Sequence, residues 1–339
     1  MPEETLPGSG EGRAAHARGG AVYVQDAPGV LVRSPAAGRS PVPDLFVFDI
    51  DGVLIDTAES YPATVEAAAL WFCRERLGRA VQASPVRAAD LAAWKAAGGF
   101  NDDWQLAAGV CLYLTWHHRR GEWPPDPVRH GAFCGALRDR GGGLAAARAL
   151  CSGADAAGGP WDPDAIARVC MERYGGDEAC EAMFGHRPAG PVGTGLWRRE
   201  RGLVGAADLE PWRGRLGIYT GRNAAEAEFG LRAAGLHGLF PREVRQTTDS
   251  GHRKPDPGGL VALAAAWAPR LLLFTGDTPD DAEAVLRYRR VAGPLPPALF
   301  AGVLGGAAGD AAEGVFRTAG ADIIAADTAS LLRWLRGCR

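Results

Sequence analysis

Residues 45–53 read Leu45-Phe46-Val47-Phe48-Asp49-Ile50-Asp51-Gly52-Val53. Four apolar residues before two carboxylates predict a buried strand that ends at Asp49. A charge beside an apolar core is costly unless it meets a metal or an opposite charge, or changes its pKa. Proteins tolerate that cost most readily where chemistry depends on the charge. The stretch therefore predicts a metal-assisted carboxylate site at the end of a strand.

Beyond residue 205, short apolar runs alternate with helical segments. Fully apolar strands that alternate with helices are typical of a parallel sheet covered on both faces. The strand at residues 45–48 cannot stand alone, so we expect it to join this sheet. The predicted fold class is α/β, with a Rossmann-like parallel core and helices on both faces. The runs lie at residues 216–219, 271–274, 299–304 and 323–325, and helices are expected at 223–234, 257–267, 280–288, 310–319 and 328–335.

The remaining segments complete the predicted domain organisation. Residues 57–204 are predicted to form an inserted, mostly helical cap domain, with a first helix capped by Asp56-Thr57 and further helices at 86–97, 102–119 and 163–174. The Gly/Ala-rich stretch 141–159 predicts an exposed loop. Residues 1–40 are expected to be a flexible tail, with at most a short strand at 21–24. The catalytic core is then 41–56 plus 205–339.

Composition excludes several classes of protein. The net charge is −3, so no basic field suggests a nucleic-acid partner. No stretch approaches the ~18 apolar residues that span a bilayer, and residues 1–40 lack the apolar region of a signal peptide. The seven cysteines contain no CxxC pair, which argues against disulfides and a structural zinc site and favours free thiols in the cytoplasm. The composition leaves the oligomeric state unknown.

Polar residues follow each predicted strand, and ligands of parallel sheets bind beyond such strand ends. Each group alone fits a helix cap or a turn, but together they fit phosphoryl transfer. One carboxylate can attack phosphorus, and a second can move the proton. Further carboxylates hold Mg²⁺, while a hydroxyl, backbone N–H groups and a lysine bind phosphate oxygens. The groups are Asp49 and Asp51, Thr220-Gly221-Arg222, Lys254-Pro255-Asp256, Thr275-Gly276-Asp277 and Asp280-Asp281.

In this order, these elements resemble the four motifs of the haloacid dehalogenase (HAD) superfamily of phosphohydrolases. Residues 49–53 match DxDG(T/V), Thr220 matches a lone Ser/Thr, Lys254 matches the third motif, and residues 276–281 match GDxxxD. The stretch DGVLIDT at residues 51–57 resembles the subgroup with a helical cap between the first two motifs. The resemblance covers residues 44–56 and 205–339, whereas residues 57–204 match only in position and helical character.

The resemblance implies a role for each matching residue. Asp49 is the expected nucleophile and Asp51 the general acid/base. Thr220, the backbone of Gly221 and Lys254 are expected to bind phosphate, and Lys254 also to orient Asp49. The expected Mg²⁺ ligands are Asp49, the backbone carbonyl of Asp51, Asp277 and Asp281, with Asp280 able to share or replace the role of Asp281.

The implied function is a Mg²⁺-dependent phosphatase that hydrolyses a small phosphorylated metabolite through an aspartyl-phosphate. A phosphosugar mutase of the same superfamily is the main alternative. A dehalogenase is disfavoured because that branch lacks the carboxylate at Asp51, and a phosphonate hydrolase would have to use Lys95, the single lysine of residues 57–204. A non-catalytic binding protein on this fold is disfavoured because no key carboxylate or lysine is lost.

The leaving group is expected to be recognised by the cap. The loop at residues 95–104 is polar and aromatic, and it either reaches the substrate or simply caps a helix through Asn101 or Asp102. Two further candidates, Glu59 and Tyr61, lie shortly after the first motif. The candidate substrate residues are Glu59, Tyr61, Lys95, Asn101 and Trp104.

Overall fold

The structure is a computed structural model that describes residues 22–34, 42–100, 102–305 and 309–338. Its strands are β1 (Tyr23–Ala27), β2 (Val30–Arg33), β3 (Leu45–Phe48), β4 (Ile55–Asp56), β5 (Arg201–Gly202), β6 (Leu216–Tyr219), β7 (Arg245–Gln246), β8 (Leu272–Gly276), β9 (Ala298–Val303) and β10 (Ile323–Ala325). Its α-helices are α1 (Tyr61–Glu75), α2 (Leu91–Ala96), α3 (Asp103–Arg119), α4 (Pro127–Asp139), α5 (Gly143–Leu150), α6 (Pro163–Phe184), α7 (Ala206–Leu209), α8 (Ala224–Ala233), α9 (Gly258–Trp267), α10 (Pro279–Tyr288), α11 (Gly309–Ala319) and α12 (Thr328–Gly337).

The main sheet has the strand order β1-β2-β10-β9-β8-β3-β6-β7. From β10 to β7 every neighbouring pair is parallel. Strand β3 lies between β8 and β6, and Phe48 is in register with Thr275 on one side and Ile218 on the other. The three strands that carry the first, second and fourth motifs are therefore adjacent, and their carboxyl ends share one edge.

Both faces of the sheet are buried. Successive side chains of a strand point to opposite faces, and Phe46 and Phe48 belong to one apolar cluster while Leu45 and Val47 belong to the other. A fully apolar strand is what a sheet covered on both sides requires. The predicted α/β fold class is confirmed.

The prediction of a flexible tail over residues 1–40 is wrong for residues 22–34. Strands β1 and β2 form a hairpin that pairs antiparallel with β10, and Val30 is fully buried. The turn uses Gly29, whose φ of 72° is a conformation that glycine adopts without strain. Hydrogen bonds to the edge of β10 supply the order that the polar composition of this segment does not suggest.

The exposed loop predicted for residues 141–159 is also wrong, because α5 occupies residues 143–150. Ala147, Cys151 and Ala154 are buried in the apolar cluster of helices α1–α6. The glycines permit a close approach of two backbones: a Cβ on Gly142 would lie only 2.0 Å from the carbonyl oxygen of Gly98. Small residues here reflect tight packing rather than exposure.

Helices α1–α6 surround their own apolar cluster, separate from the two clusters that flank the sheet. The chain leaves and re-enters the sheet domain through β4 and β5, which pair antiparallel. The first helix begins at Tyr61, later than the Asp56-Thr57 cap predicts, because Asp56 lies in β4 and its carboxylate accepts from the N–H of Ala58. The described residues contain no helix with the length and apolar character to span a membrane.

Candidate active site

Three carboxylates converge at the carboxyl end of β3 and β8. Asp49 follows β3, Asp277 follows β8, and Asp281 lies in the first turn of α10. One oxygen from each lies within 4.8 Å of the others, and all three residues are buried. The sheet order brings these residues together from distant parts of the sequence.

Lys254 bridges two of the three carboxylates. Its Nζ lies 2.6 Å from Oδ2 of Asp49 and 2.7 Å from Oδ1 of Asp281. The other oxygen of Asp49 accepts from the N–H of Ile50 at 2.7 Å. The Asp49 carboxylate is therefore held at both oxygens, which fixes its orientation.

The electrostatics of this cluster call for a cation. Burial raises the pKa of Asp49 to about 6, although Lys254 opposes the shift. Burial, followed by the charges of Asp281 and Asp49, raises the pKa of Asp277 well above its usual range. Burial alone would lower the pKa of Lys254, but the two carboxylates raise it overall. One ammonium cannot balance three buried carboxylates, so a bound cation would relieve the excess negative charge.

The donor set fits a hard metal ion. Oδ1 of Asp277 is buried without a hydrogen-bond partner among the described residues, and it belongs to the cluster whose oxygens lie within 4.8 Å of one another. A buried polar atom without a partner is costly, and oxygen ligands at this spacing are what Mg²⁺ prefers. The residues present therefore fit a Mg²⁺ ion.

Local sequence fixes Asp281 in this position. Its Oδ2 accepts from the N–H and hydroxyl of Thr278, at 2.9 and 2.7 Å, as part of a capping box at the start of α10. A Cβ on Gly276 would lie 2.4 Å from the Asp281 side chain, so the glycine permits the approach. The three-carboxylate cluster contains Asp281 and not Asp280, which favours Asp281 as the last carboxylate of the fourth motif.

Asp51 lies beside this cluster but has different partners. It precedes Gly52, whose φ of 69° turns the chain at the end of β3. Its Oδ1 accepts from Nε and Nη2 of Arg222, at 2.9 and 2.6 Å. The Asp51 side chain is 32% exposed, whereas that of Arg222 is 1% exposed. The partly exposed carboxylate of Asp51 is thus held by the buried guanidinium of Arg222.

Thr220 and Gly221 follow β6 at the same edge. Thr220 is buried, and its N–H donates to the carbonyl oxygen of Gln246 at 3.0 Å. Its hydroxyl oxygen accepts from the N–H of Arg222 at 3.3 Å, which leaves the hydroxyl proton to donate elsewhere. Gly221 is exposed.

Comparison with solved structures shows the same architecture elsewhere. The phosphatase Tt82 from Thermococcus thioreducens shares 27% sequence identity, and the match covers 86% of this chain and 99% of that chain with a TM-score of 0.58. This shared fold agrees with the resemblance of the four sequence motifs to the HAD superfamily. A HAD family hydrolase from Deinococcus radiodurans R1, solved with bound phosphate and sodium, matches in fold at 16% identity, 87% and 96% coverage and a TM-score of 0.50. No family model and no curated protein matches the chain.

The helical insertion brings a charged pair near the carboxylates. Nζ of Lys95 lies 2.9 Å from Oδ1 of Asp103. Burial lowers the pKa of Lys95, but Asp103 outweighs it, with smaller contributions from Asp51 and Asp277, and the pKa is raised overall. Burial raises the pKa of Asp103 as well. A raised pKa favours the charged ammonium of Lys95 but the neutral carboxyl group of Asp103, so the two shifts disagree on whether the pair is ionised. The short contact and the partial exposure of Lys95 favour the ionised pair.

The other predicted substrate residues lie in different surroundings. Tyr61 stacks on Tyr174 with ring centroids 4.9 Å apart, and Trp104 meets both rings edge-on at 5.9 Å. Glu59 is exposed. Asn101 lies outside the described residues.

Sequence reasoning missed the surroundings of Arg222. Its position after Thr220 predicts either a contact with phosphate or a helix start, yet its Nη2 lies 3.0 Å from Oε2 of Glu200, in an ion pair that lacks hydrogen-bond geometry. Glu200 directly precedes β5, in the part of the insertion that returns to the sheet, and no motif marks it. A buried arginine needs buried carboxylates, but the sequence does not say which ones.

Proposed function

We propose that this protein is a Mg²⁺-dependent phosphatase that hydrolyses a small phosphorylated metabolite through an aspartyl-phosphate. The observation that carries the proposal is the placement of Asp49 between Lys254 and the carboxylates Asp277 and Asp281. The 27% identity to a phosphatase along nearly its full length supports the same activity.

The reaction takes two displacements. Asp49 attacks phosphorus, the bond to the leaving oxygen breaks, and the Asp51 carboxyl group gives that oxygen a proton. Asp51 then takes a proton from water, and the resulting hydroxide attacks the phosphorus of the aspartyl-phosphate. Phosphate leaves and Asp49 is regenerated. The hydroxyl of Thr220, the backbone of Gly221 and the ammonium of Lys254 hold the phosphate oxygens during both steps.

Asp49, Asp277 and Asp281, with the backbone carbonyl of Asp51, would hold the Mg²⁺ ion. Its chemistry is to neutralise charge, so that an anionic carboxylate can approach an anionic phosphate. Asp280 is not part of this proposed set.

We assign specificity to the helical insertion, residues 57–204, acting as a cap over the sheet edge. Lys95 and Asp103 offer a cation and an anion side by side, which suits a polar leaving group with hydroxyl or charged substituents. Glu59, Tyr61, Asn101 and Trp104 remain proposed contributors to this recognition. We also propose that the protein works in the cytoplasm, on a small molecule rather than on nucleic acid or a membrane.

A phosphonate hydrolase fits the site less well. A Schiff base requires a neutral lysine amine, and Lys95 is paired with Asp103 with its pKa raised. A phosphosugar mutase would isomerise a sugar phosphate without releasing phosphate, so phosphate release separates it from a phosphatase.

Hydrolysis of p-nitrophenyl phosphate tests the proposal. Wild-type protein is expected to release phosphate with Mg²⁺ and to stop when the metal is chelated. Asp49→Asn is expected to lose at least about 100-fold in kcat, because the nucleophile is gone. Beryllofluoride is expected to bind wild type in the presence of Mg²⁺ and not Asp49→Asn. Full activity in Asp49→Asn would show that the nucleophile is wrong.

A further inference from the structure

The side chain of Arg222 connects Asp51 to the segment that returns from the helical insertion. Its guanidinium donates twice to Oδ1 of Asp51 and lies 3.0 Å from Oε2 of Glu200. The side chains of Arg222 and Glu200 are each 1% exposed. Because this guanidinium is deeply buried and paired with two carboxylates, it is shielded from a substrate phosphate.

Glu200 is itself held by two other residues of the insertion. Its Oε1 accepts from the hydroxyl of Tyr174 at 2.7 Å and from the hydroxyl of Ser60 at 3.2 Å. Ser60 stands at the start of α1 and Tyr174 lies in α6. Both connections between the sheet domain and the insertion therefore meet at one buried carboxylate.

Backbone packing fixes the position of Tyr174. Helix α6 bends two residues after it, at Gly176, where φ is 68° and ψ is −176°. A Cβ on Gly176 would lie 2.2 Å from the backbone nitrogen of Gly195, so the bend and the returning chain are in direct contact. Glu200 lies five residues after Gly195, so Tyr174 and Glu200 are positioned by the same junction.

We propose that Arg222 and Glu200 are positioning residues that orient the acid/base carboxylate Asp51, with Tyr174 holding Glu200. This inference rests on the proposed phosphatase function. Both guanidinium contacts fall on Oδ1 of Asp51, so they restrain the carboxyl group without occupying Oδ2. A partly exposed aspartate would otherwise rotate freely, and proton transfer requires hydrogen-bond reach to the leaving oxygen.

The dependence on the leaving group tests this proposal. Phenyl phosphate and p-nitrophenyl phosphate have similar shapes, but phenolate is the more basic leaving group and needs a proton more. The value of kcat/KM reports steps up to departure of the first product. We expect Glu200→Gln to lower kcat/KM roughly tenfold or more for phenyl phosphate and less than about threefold for p-nitrophenyl phosphate. The loss is smaller than the full rate enhancement of about 10²–10⁴-fold that general acid catalysis typically supplies, because Asp51 itself remains. Asp51→Asn should show the largest selective loss.

Two further variants guard against a folding defect. Tyr174→Phe removes one hydroxyl and should give a smaller loss of the same selective kind. Arg222→Lys keeps the charge but loses the fork that contacts Asp51 twice, so it should resemble Glu200→Gln. Matched controls are Tyr113→Phe, which removes a buried hydroxyl that has no hydrogen-bond partner among the described residues, and Glu172→Gln, which removes a buried carboxylate paired with Arg168. Neither control should change the ratio of the two esters.

The outcomes separate the two proposals. Equal losses on both esters, or no loss in Glu200→Gln and Tyr174→Phe, would overturn the positioning role and leave the phosphatase function standing. Wild-type protein that releases phosphate from neither ester would instead defeat the proposed function.

Discussion

At the scale of single residues, the carboxylates of the site have distinct partners, which suits the distinct tasks that we propose for them. Asp49 is fixed by Lys254 and the backbone, Asp51 by Arg222, and Asp277 keeps a buried oxygen without a partner in the described residues. The unpartnered oxygen of Asp277 is the observation that most directly supports the proposed cation site. We therefore expect substitution of Asp277 to act chiefly by weakening metal binding.

Asp277→Asn should remove stabilisation by Mg²⁺ without destabilising the metal-free protein. Without metal, neutralising one of three crowded carboxylates relieves repulsion, so the melting temperature should be unchanged or higher. With Mg²⁺ at about 100 times its Kd, wild type should gain about 2.7 kcal/mol, and Asp277→Asn should gain little. Thermal denaturation with and without MgCl₂ measures both effects.

The neighbouring pair Asp280 and Asp281 supplies the control. Asp281 lies in the cluster and Asp280 does not, so Asp280→Asn should keep the Mg²⁺ response that Asp281→Asn loses. A full response in Asp277→Asn, or its loss in Asp280→Asn, would show that the metal ligands are assigned wrongly.

At the scale of elements, the N-terminus of α8 holds a buried acid behind Arg222. Glu226 accepts from the N–H of Asn223 at 2.9 Å in a capping box. Burial nevertheless raises its pKa to about 7 from 4.5, although the Asn223 contact and Arg222 oppose the shift. The fold therefore disfavours the charged carboxylate at this position.

This raised pKa predicts how stability changes with pH. Between about pH 4.5 and 7 the folded protein holds a proton that the unfolded chain releases, so the contribution of Glu226 is present below pH 4.5 and declines as pH rises to about 7. Each pKa unit corresponds to about 1.4 kcal/mol. Glu226→Gln should therefore lose less stability than wild type between pH 5 and pH 7.5, measured by urea denaturation.

Glu228 of the same helix is the matched control. A hydrogen bond from Arg245 lowers its pKa, so its stabilising contribution is lost only as pH falls below its unfolded value. Glu228→Gln should keep the wild-type slope between pH 5 and pH 7.5. An unchanged slope in Glu226→Gln would mean that Glu226 is not protonated in the folded protein.

At the scale of the whole molecule, sequence patterns predicted the sheet and the carboxylates but not the connections between distant side chains. Apolar runs such as residues 45–48 carry their own evidence of burial, and so α/β class followed directly. The ion pair between Arg222 and Glu200 joins a strand end to a linker, and neither position has a local signal. For a related reason the hairpin β1–β2 is predicted only as a short strand at residues 21–24, since its order comes from pairing with β10 and not from its own composition.

The hairpin gives the last prediction. Removing residues 1–34 would strip β2 from the edge of β10 and expose the apolar core around Val30. Full burial of one such side chain contributes roughly 1.5–3 kcal/mol, and the lost strand pairing adds to this. The truncated protein should melt several degrees lower and aggregate more readily through the uncovered edge strand. A truncation of residues 1–21 keeps every described contact and is the control for chain shortening. Because the active-site edge lies around β3, four positions from β2 in the sheet order, kcat at low temperature should be similar in both truncations. Equal melting temperatures would show that the hairpin adds no stability to the sheet.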